Sequence, residues 1–387
     1  MDMENISSER KYILSLNDDQ LRLLIRAAEK GMEQSRNKIL AQPVPRTGWF
    51  TQRIGGLSPE AKIHLRESMQ STNRNQQDQK WIRYAKLFNE LYLEAPPSFS
   101  MSRHPKEAYQ HLVRFFREHL LPEEIIPLVI PTLISYMETG HMRPMILVGE
   151  KGCGKTTCAQ LLLKEALSIP VEVIKVPETS SGHGLTGDSG TYHSADLGYL
   201  AKAQLKNHSL LVGYIIDEID KVPKESAHST IDEELLSITD SSVSTVEDKY
   251  LESRLYSLPY CPICFTANEL DHINPVLADR CSIIRYPNPT PERMKSILAA
   301  YAENRMNEPA YAFIHFDYPL MNRFVDQLLS HNVFSIRKHQ KMVEIVLNQA
   351  FDAAMHDPSD AKASVTEDMF LTAASEVAET EQRRMGF

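Results

Sequence analysis

A glycine-rich segment that ends in a lysine and two threonines has the residue types needed to bind phosphate. It follows an apolar run and reads Gly-Glu-Lys-Gly-Cys-Gly-Lys-Thr-Thr, which matches the pattern G-x-x-x-x-G-K-[ST] from Gly149 to Thr156. Glycines let the backbone turn tightly, so that successive N–H groups face an anion at the start of a helix. In this pattern Lys155 contacts the β- and γ-phosphates and the Thr156 hydroxyl binds Mg²⁺. We therefore predict a phosphate-binding loop formed by Gly149, Glu150, Lys151, Gly152, Cys153, Gly154, Lys155, Thr156 and Thr157.

Two adjacent carboxylates have the position and chemistry to complete such a site. Asp217 and Glu218 directly follow an apolar run, where a buried strand would end and where ligands collect in open α/β sheets. Asp217 would bind Mg²⁺, and Glu218 would activate the attacking water as a general base. A purely structural role is the weaker interpretation, because uncompensated carboxylates next to a core are costly.

An asparagine and two arginines are further candidates. Asn268 ends the next predicted strand, where its amide would orient the water, although an asparagine there can also cap a turn. Arg280 and Arg337 have the fixed charge and forked donors that suit a γ-phosphate. Taken alone, neither arginine differs from an ordinary surface arginine.

The elements that must position these residues can be read from the hydrophobic pattern. Short apolar runs alternate with helical segments after residue 105, which indicates a parallel sheet covered on both faces. The expected strands are Ile146–Val148, Val171–Val176, Leu210–Ile216 and Ile263–Thr266. Thr290 is expected to cap a helix that begins at Pro291, and the chain should then remain helical through about four helices.

Composition limits the class of protein. The chain has 387 residues, of which 42% are hydrophobic and 24% charged, and this is typical of an ordinary protein of two or three domains. No apolar run is long enough for a bilayer and no secretion signal is visible, so we expect a cytoplasmic protein without membrane contact. The Cys261-Pro-Ile-Cys264 pair lacks a second pair at zinc-ligand spacing, and we interpret it as part of a core strand.

The N-terminal region differs in charge from the rest. Residues 20–89 carry 13 Lys and Arg against 5 Asp and Glu, whereas the whole chain has a net charge of −9. Its helical periodicity predicts a small helical domain whose aromatic residues, Trp49 and Trp81 among them, form the core. A protein-docking surface and single-stranded nucleic-acid binding remain alternatives. An acidic body does not favour general nucleic-acid binding.

The order of these motifs resembles that of the AAA+ ATPases over roughly residues 120 to 350. Within that family the chain is most similar to the ATPase module of Lon proteases, on the segments Asp217–Lys221, Asp248–Leu251, Phe265–Asn268, Leu277–Arg280 and Thr191–Gly198. The resemblance implies an α/β fold in which a P-loop parallel-sheet sandwich carries a C-terminal helical lid and follows a mainly helical N-terminal domain. We expect domain boundaries at 1–104 for partner or substrate recognition, 105–288 for the ATPase and 289–387 for the lid.

The same resemblance implies a function. ATP and Mg²⁺ would be the cofactors, and the chain would assemble into a ring, expected to be a hexamer, that remodels or translocates a protein. Arg280 would reach into the neighbouring subunit, Arg337 would lie over the subunit's own nucleotide, and Tyr192 would grip polypeptide in the central pore, although a tyrosine that only packs in its loop is the alternative. The chain ends fifty residues after Arg337, so we expect no Lon peptidase domain and no proteolysis.

Two other functions stay open. The ring could be a regulatory switch or assembly scaffold that recruits an effector protein, as in mobile elements or defence against phage, or it could engage DNA. The glycine-rich segment Ser181–Gly190 is longer than its Lon counterpart, which affects the position of the pore loop. The first hundred residues do not resemble the Lon recognition domain, so substrate identity does not follow from the resemblance.

Overall fold

The computed structural model describes residues 50–53, 80, 83–84, 87, 98–101, 104–176, 184–188, 195–221, 230–240, 246–250, 253–255, 260–356 and 363–382. The strands are β1 (Phe50–Arg53), β2 (Ser98–Met101), β3 (Met145–Val148), β4 (Val171–Lys175), β5 (Gly213–Asp217), β6 (Val246–Asp248), β7 (Ser253–Leu255), β8 (Ile263–Ala267) and β9 (Ser282–Arg285). The helices are α1 (Pro105–Glu118), α2 (Ile126–Thr139), α3 (Lys155–Gln160), α4 (Tyr199–Lys206), α5 (Thr230–Ile238), α6 (Pro275–Arg280), α7 (Pro291–Met306), α8 (Tyr318–Ser330), α9 (Ile336–His356) and α10 (Glu367–Gln382).

A five-stranded parallel sheet forms the centre of the molecule. Its spatial order is β4-β5-β8-β3-β9, so β8 lies between β3 and β5. Met145 pairs with Cys264 on one side and Ser282 on the other, and every residue of β8 is buried. Such continuous apolar strands are typical of parallel sheets covered on both faces. The chain segments that follow β3, β8 and β5 therefore meet at one edge of the sheet, where ligands bind in folds of this kind.

One hydrophobic core joins this sheet to the helices around it. Helix α2 is apolar around most of its circumference, which suits a helix buried in a core. Leu133 and Tyr136 are fully buried in it, and the Tyr136 hydroxyl donates to the Tyr260 carbonyl at 2.9 Å. The helix ends at Gly140, whose φ of +74° is the left-handed conformation that glycine adopts readily at a helix C-terminus.

The C-terminal helices form a second core. Helices α7 to α10 pack around buried residues such as Phe324 and Phe370, whose rings stack with their centroids 5.3 Å apart. As the sequence predicts, Thr290 caps α7, accepting a hydrogen bond from the Arg293 amide at 3.2 Å. The first core includes Tyr286 and the second begins at Met294. The three domain boundaries themselves remain a prediction.

The buried cysteines support a strand interpretation of the Cys-Pro-Ile-Cys segment. All five cysteines of the chain are buried and free of disulfides. Burial raises the pKa of Cys261 to about 12 and raises the pKa of Cys264, which lies within β8. Thiols with raised pKa values stay protonated at neutral pH, whereas zinc is bound by thiolates. Among the described helices, none is both long and apolar enough to cross a membrane.

Several elements differ from the sequence expectations. Strands β1 and β2 pair antiparallel within a region whose periodicity predicted helices, and a second antiparallel pair joins β6 to β7. The apolar run Leu210–Ile216 enters the sheet only at Gly213. Before that residue its backbone is held by side chains instead, because Gln204 donates to the Leu210 carbonyl at 3.0 Å and Ser209 donates to the Leu211 carbonyl at 2.8 Å.

Candidate nucleotide site

The predicted phosphate-binding loop connects β3 to α3. Gly152 and Gly154 have φ angles of +83° and +103°, a backbone conformation that side chains with a Cβ rarely adopt. A Cβ at Gly149 would collide with the Tyr286 backbone carbonyl oxygen, so the third glycine is needed for close approach. No side chain of the described residues caps α3 at its N-terminus. Its first-turn N–H groups are therefore suited to bind a phosphate.

Lys155 is the buried cation of this loop, with only 7% of its surface exposed. Its ammonium donates to the carbonyls of Gly149 and Glu150, both at 2.7 Å, and to Asn268 Oδ1 at 3.2 Å. Burial lowers the pKa of Lys155, and the charges of Cys153, Asp220 and neighbouring carboxylates oppose that shift. The loop residues Glu150 and Lys151 are exposed, whereas Cys153 is buried. A desolvated ammonium at this position can contact phosphate oxygens directly.

Three oxygen-bearing side chains meet next to Lys155. The Thr156 hydroxyl donates to Asp217 Oδ1 at 2.8 Å, and the Thr266 hydroxyl donates to the same oxygen in a short hydrogen bond. Magnesium prefers oxygen ligands and is usually held by one or two carboxylates together with substrate phosphates. Thr156 and Asp217 therefore fit the predicted Mg²⁺ site. Thr266 was not among the predicted site residues, because its only sequence signal is a hydroxyl within an apolar strand.

Glu218 has an unusual backbone conformation. Its φ of +61° lies in the left-handed region, which is uncommon for a residue other than glycine and costs about 1–3 kcal/mol. Its N–H donates to the Thr266 hydroxyl at 3.1 Å, which ties this turn to the neighbouring strand. Its carboxylate forms an ion pair with Lys221 at 2.6 Å, a partner that the sequence analysis did not identify. Strain of this kind clusters at functional sites.

Asn268 lies between the loop and the acidic turn, because β8 lies between β3 and β5. Its Oδ1 accepts from Lys155, and its Nδ2 donates to Asp220 Oδ2 at 3.1 Å. The structure thus forms two hydrogen-bonded pairs, Lys155 with Asn268 and Thr156 with Asp217, and Lys155 and Thr156 are neighbours in the chain. The roles assigned to these residues stay predictions. Asp220 is an additional member of this network that sequence reasoning missed.

The two predicted arginines occupy different places. The Arg280 guanidinium donates to the Leu236 carbonyl at the end of α5 and to Asp240 at 3.3 Å. These contacts hold it within its own chain, and no described contact joins it to the phosphate loop. Arg337 lies in the first turn of α9, is exposed, and forms no hydrogen bond or ion pair within the described ranges.

The lid touches the phosphate loop directly. The Ile336 amide donates to the Gly152 carbonyl at 2.9 Å, and a Cβ on Gly152 would collide with the Ser335 hydroxyl. Arg293, which was not among the predicted residues, links the lid to the α/β body outside the loop, because it donates to the Leu120 carbonyl at 2.7 Å and to the Tyr286 hydroxyl at 3.0 Å. Arg337 is therefore carried by the part of the lid that contacts the loop.

Tyr192 lies outside the described residues, but both flanks of its segment are anchored. On one side, Glu234 accepts hydrogen bonds from the Leu185 amide at 2.8 Å and from the Thr186 hydroxyl at 2.5 Å. On the other, Asp248 accepts from the Gly198 amide at 3.0 Å. Both carboxylates are buried, which makes these anchors stronger than exposed polar contacts.

Comparison with known proteins places this site in a family context. The model of the family described as "ATPase family associated with various cellular activities (AAA)" matches residues 145–288. A Lon protease homolog from Acanthamoeba polyphaga mimivirus is 30% identical over 141 residues, which are 36% of this chain and 14% of that protein. Lon protease from Syntrophus aciditrophicus (strain SB) is 27% identical over 183 residues, 46% of this chain and 23% of that protein. The chain therefore spans less than a quarter of either relative.

A solved structure is also similar. A mutant of RuvB from Thermotoga maritima superposes with a TM-score of 0.41 and 13% identity, over 66% of this chain and 69% of that one.

The family match begins at the first residue of β3 and ends shortly after β9, so it contains the complete parallel sheet. The resemblance drawn from the sequence is confirmed over this segment.

The lid also contains a buried histidine from which a pH dependence follows. His339 is fully buried in α9, and its Nδ1 lies 3.0 Å from the Ser335 carbonyl. Burial lowers the pKa of His339, and the nearby Lys338 charge lowers it further. The folded chain therefore resists protonation, whereas the unfolded chain binds a proton once the pH falls below about 6.5. Stability is unaffected above that pH and is lost below it, by at most about 1.4 kcal/mol per pH unit.

We expect the melting temperature of the wild-type chain to fall between pH 7.5 and pH 5.5, and that of His339→Gln to fall less over the same interval. The measurement is thermal unfolding of both chains at the two pH values. His331→Gln, which alters an exposed histidine, is the matched control and should keep the wild-type dependence. Equal slopes for His339→Gln and wild type would show that another group controls the acid sensitivity.

Proposed function

Since residues 145–288 are an AAA ATPase domain with the AAA+ fold, we propose that this chain binds and hydrolyses ATP at the loop Gly149–Thr157. The observation that carries this proposal is the pair of hydrogen bonds Lys155–Asn268 and Thr156–Asp217, formed by residues at the ends of three adjacent strands. Phosphoryl transfer requires a cation, metal ligands and a group that orients the attacking water. The lysine supplies the cation, the hydroxyl and the carboxylate supply the metal ligands, and the amide orients the water.

Each of these residues has a separate task. Lys155 and the first-turn amides of α3 bind the phosphates, and Thr156 and Asp217 hold Mg²⁺, which when bound neutralises developing phosphate charge. Glu218 takes the proton of the attacking water. Glu218 Oε2 forms an ion pair with Lys221, which leaves the other carboxylate oxygen as the acceptor unless that pair opens. Arg337, on the lid segment next to Gly152, contributes charge to the same subunit's nucleotide.

Two substitutions separate binding from hydrolysis. Lys155→Ala removes the cation that contacts the phosphates, so ATP affinity should fall at least tenfold. Glu218→Gln keeps the shape of the side chain but removes the base, so affinity should stay within about twofold while turnover falls at least a hundredfold. The measurements are fluorescent-nucleotide titration and phosphate release.

Matched controls are available on the surface of the same elements. Lys164→Ala changes an exposed lysine in the continuation of α3, and Glu269→Gln changes an exposed glutamate directly after Asn268. Both should keep wild-type binding and turnover. An ATP affinity for Lys155→Ala equal to that of wild type would refute the loop as the nucleotide site.

We also propose that the chain works as a ring, with Arg280 acting on the nucleotide of the neighbouring subunit. In the structure Arg280 is held by Leu236 and Asp240 of its own chain and lies away from the phosphate loop. Its side chain is 31% exposed, so a neighbouring subunit can reach it. A head-to-tail contact of this kind closes into a ring when the rotation between subunits permits.

Mixing two inactive chains tests this assignment. Arg280→Ala and Lys155→Ala should each have little ATPase activity, yet an equal mixture should recover up to about a quarter of the wild-type rate, because one interface in four combines an intact arginine with an intact loop. Co-purification of two affinity tags establishes that mixed assemblies form. Mixing Lys155→Ala with the double variant is the control and should recover nothing. Mixed assemblies without recovered activity would contradict action between subunits.

The work done by the ring is proposed to be the remodelling or translocation of a protein, with Tyr192 gripping the polypeptide. An aromatic side chain offers contact area to many sequences, and the segment carrying Tyr192 is anchored at Leu185 and Gly198 to the nucleotide-binding body. The second candidate is a regulatory switch that recruits an effector. It is favoured by the contact of Lys80, from the N-terminal region, with Asp196 at 3.0 Å.

The molecule that stimulates ATP turnover distinguishes a protein-remodelling ring from a regulatory switch. A permanently unfolded polypeptide should raise the ATPase rate of wild type, and Tyr192→Ala should keep basal turnover and melting temperature but lose the stimulation. His193→Ala is the neighbouring control and should retain it. A joint loss of stability and basal rate in Tyr192→Ala would assign the tyrosine to packing. Stimulation that survives in Tyr192→Ala would remove the gripping role, and stimulation by DNA alone would favour a DNA-engaging ATPase.

A further inference from the structure

The side-chain amide of Asn268 is held at both ends by groups of opposite hydrogen-bonding character. Lys155 can only donate a hydrogen bond, and it contacts Asn268 Oδ1 at 3.2 Å. The carboxylate of Asp220 can only accept, and it contacts Asn268 Nδ2 at 3.1 Å. These two partners allow one orientation of the amide. The carbonyl oxygen faces the phosphate-binding lysine, and the NH₂ group faces away from it.

Asp220 is fixed where this contact requires it. It lies in the 3₁₀ turn Ile219–Lys221, directly after β5 and Glu218, and the Lys221 amide closes the turn on the Glu218 carbonyl at 3.0 Å. Its second oxygen, Oδ1, is buried without a hydrogen-bond partner among the described residues. Leaving a buried acceptor unpaired costs stability. A residue kept only to stabilise the turn would be expected to satisfy both oxygens.

We propose that Asp220 is a positioning residue that orients the Asn268 amide for hydrolysis. With its NH₂ group held by Asp220, Asn268 presents Oδ1 as an acceptor beside Lys155, where it can receive a hydrogen bond from the attacking water. Asn268 then accepts a hydrogen bond from one O–H group of that water, while Glu218 takes the proton of the other. This inference rests on the proposed ATP hydrolysis. It specifies that Asn268 accepts a hydrogen bond from water and does not donate one to phosphate.

The first test is kinetic. Asp220→Asn keeps the shape of the side chain but can donate as well as accept, so Asn268 Nδ2 loses its carboxylate partner and the amide is held firmly only at its Lys155 end. We expect kcat to fall about tenfold while KM for ATP changes less than about twofold, because Lys155 and its loop are intact. Asp271→Asn is the matched control and should behave as wild type, because it changes an exposed aspartate in the segment that follows β8 and Asn268.

A double-variant cycle shows whether Asp220 acts through Asn268. Asn268→Ala should lower kcat, and adding Asp220→Asn to it should cause less than a twofold further loss. A purely structural Asp220 would instead lower the melting temperature along with kcat and would multiply the loss in the Asn268→Ala background. Either that result or a wild-type kcat in Asp220→Asn would overturn the proposal.

The second test needs no nucleotide. In protein labelled with ¹⁵N at asparagine, the Asn268 side-chain NH₂ signal is identified by its absence in Asn268→Ala. We expect one of its protons to resonate downfield in wild type because it binds a carboxylate, and to move upfield in Asp220→Asn. An unchanged signal refutes the orientation by Asp220 whatever the ATPase result. A wild-type chain that shows the shift but hydrolyses no ATP would refute the proposed function and leave the contact standing.

Discussion

The buried ammonium of Lys155 determines much of the structure around it. Moving a cation out of water is costly unless its donors are satisfied and opposite charge is near. Here its three donors are met by two loop carbonyls and Asn268, and the carboxylates of Asp217 and Asp220 lie close enough to stabilise its charge. That arrangement requires β8 between β3 and β5, since only this strand order places Asn268 between the loop and the acidic turn.

The lid depends on the same loop. Gly152 has both a left-handed backbone and no side chain, and each property is used: the first shapes the loop, and the second lets Ser335 approach it. The amide of Ile336 is also satisfied by the Gly152 carbonyl. A change in the loop backbone therefore alters the first turn of α9, which carries Arg337. Packed elements transmit such shifts because their interiors are dense and do not deform continuously.

Some features could be predicted from the sequence because their residues are contiguous. Residues that are close in the chain form the phosphate-binding loop, the Asp217–Glu218 pair and the Thr290 cap. The buried strands can be recognised as apolar runs in the sequence. Thr266 and Asp220 could not be assigned, because their partners are set by the register between β5 and β8, where Ile216 pairs with Phe265. The β1–β2 pairing is equally non-local, since it joins residues more than forty positions apart. The short β9 carries too few apolar residues to stand out.

Lys80, from the N-terminal region, contacts the α/β body through a partly exposed ion pair. Asp196 pairs with Lys80 at 3.0 Å and with Lys202 at 3.1 Å. Burial raises the pKa of Asp196, but the two ammonium groups counteract burial and hold that pKa below its usual value. Lys80 is 46% exposed, and ion pairs of such exposure contribute about 0–1 kcal/mol. The Asp248 and Glu234 anchors of the adjoining residues Leu185, Thr186 and Gly198 are buried and lie within the α/β body itself. The Lys80–Asp196 ion pair therefore adds little to stability, and the buried Glu234 and Asp248 anchors do not depend on it.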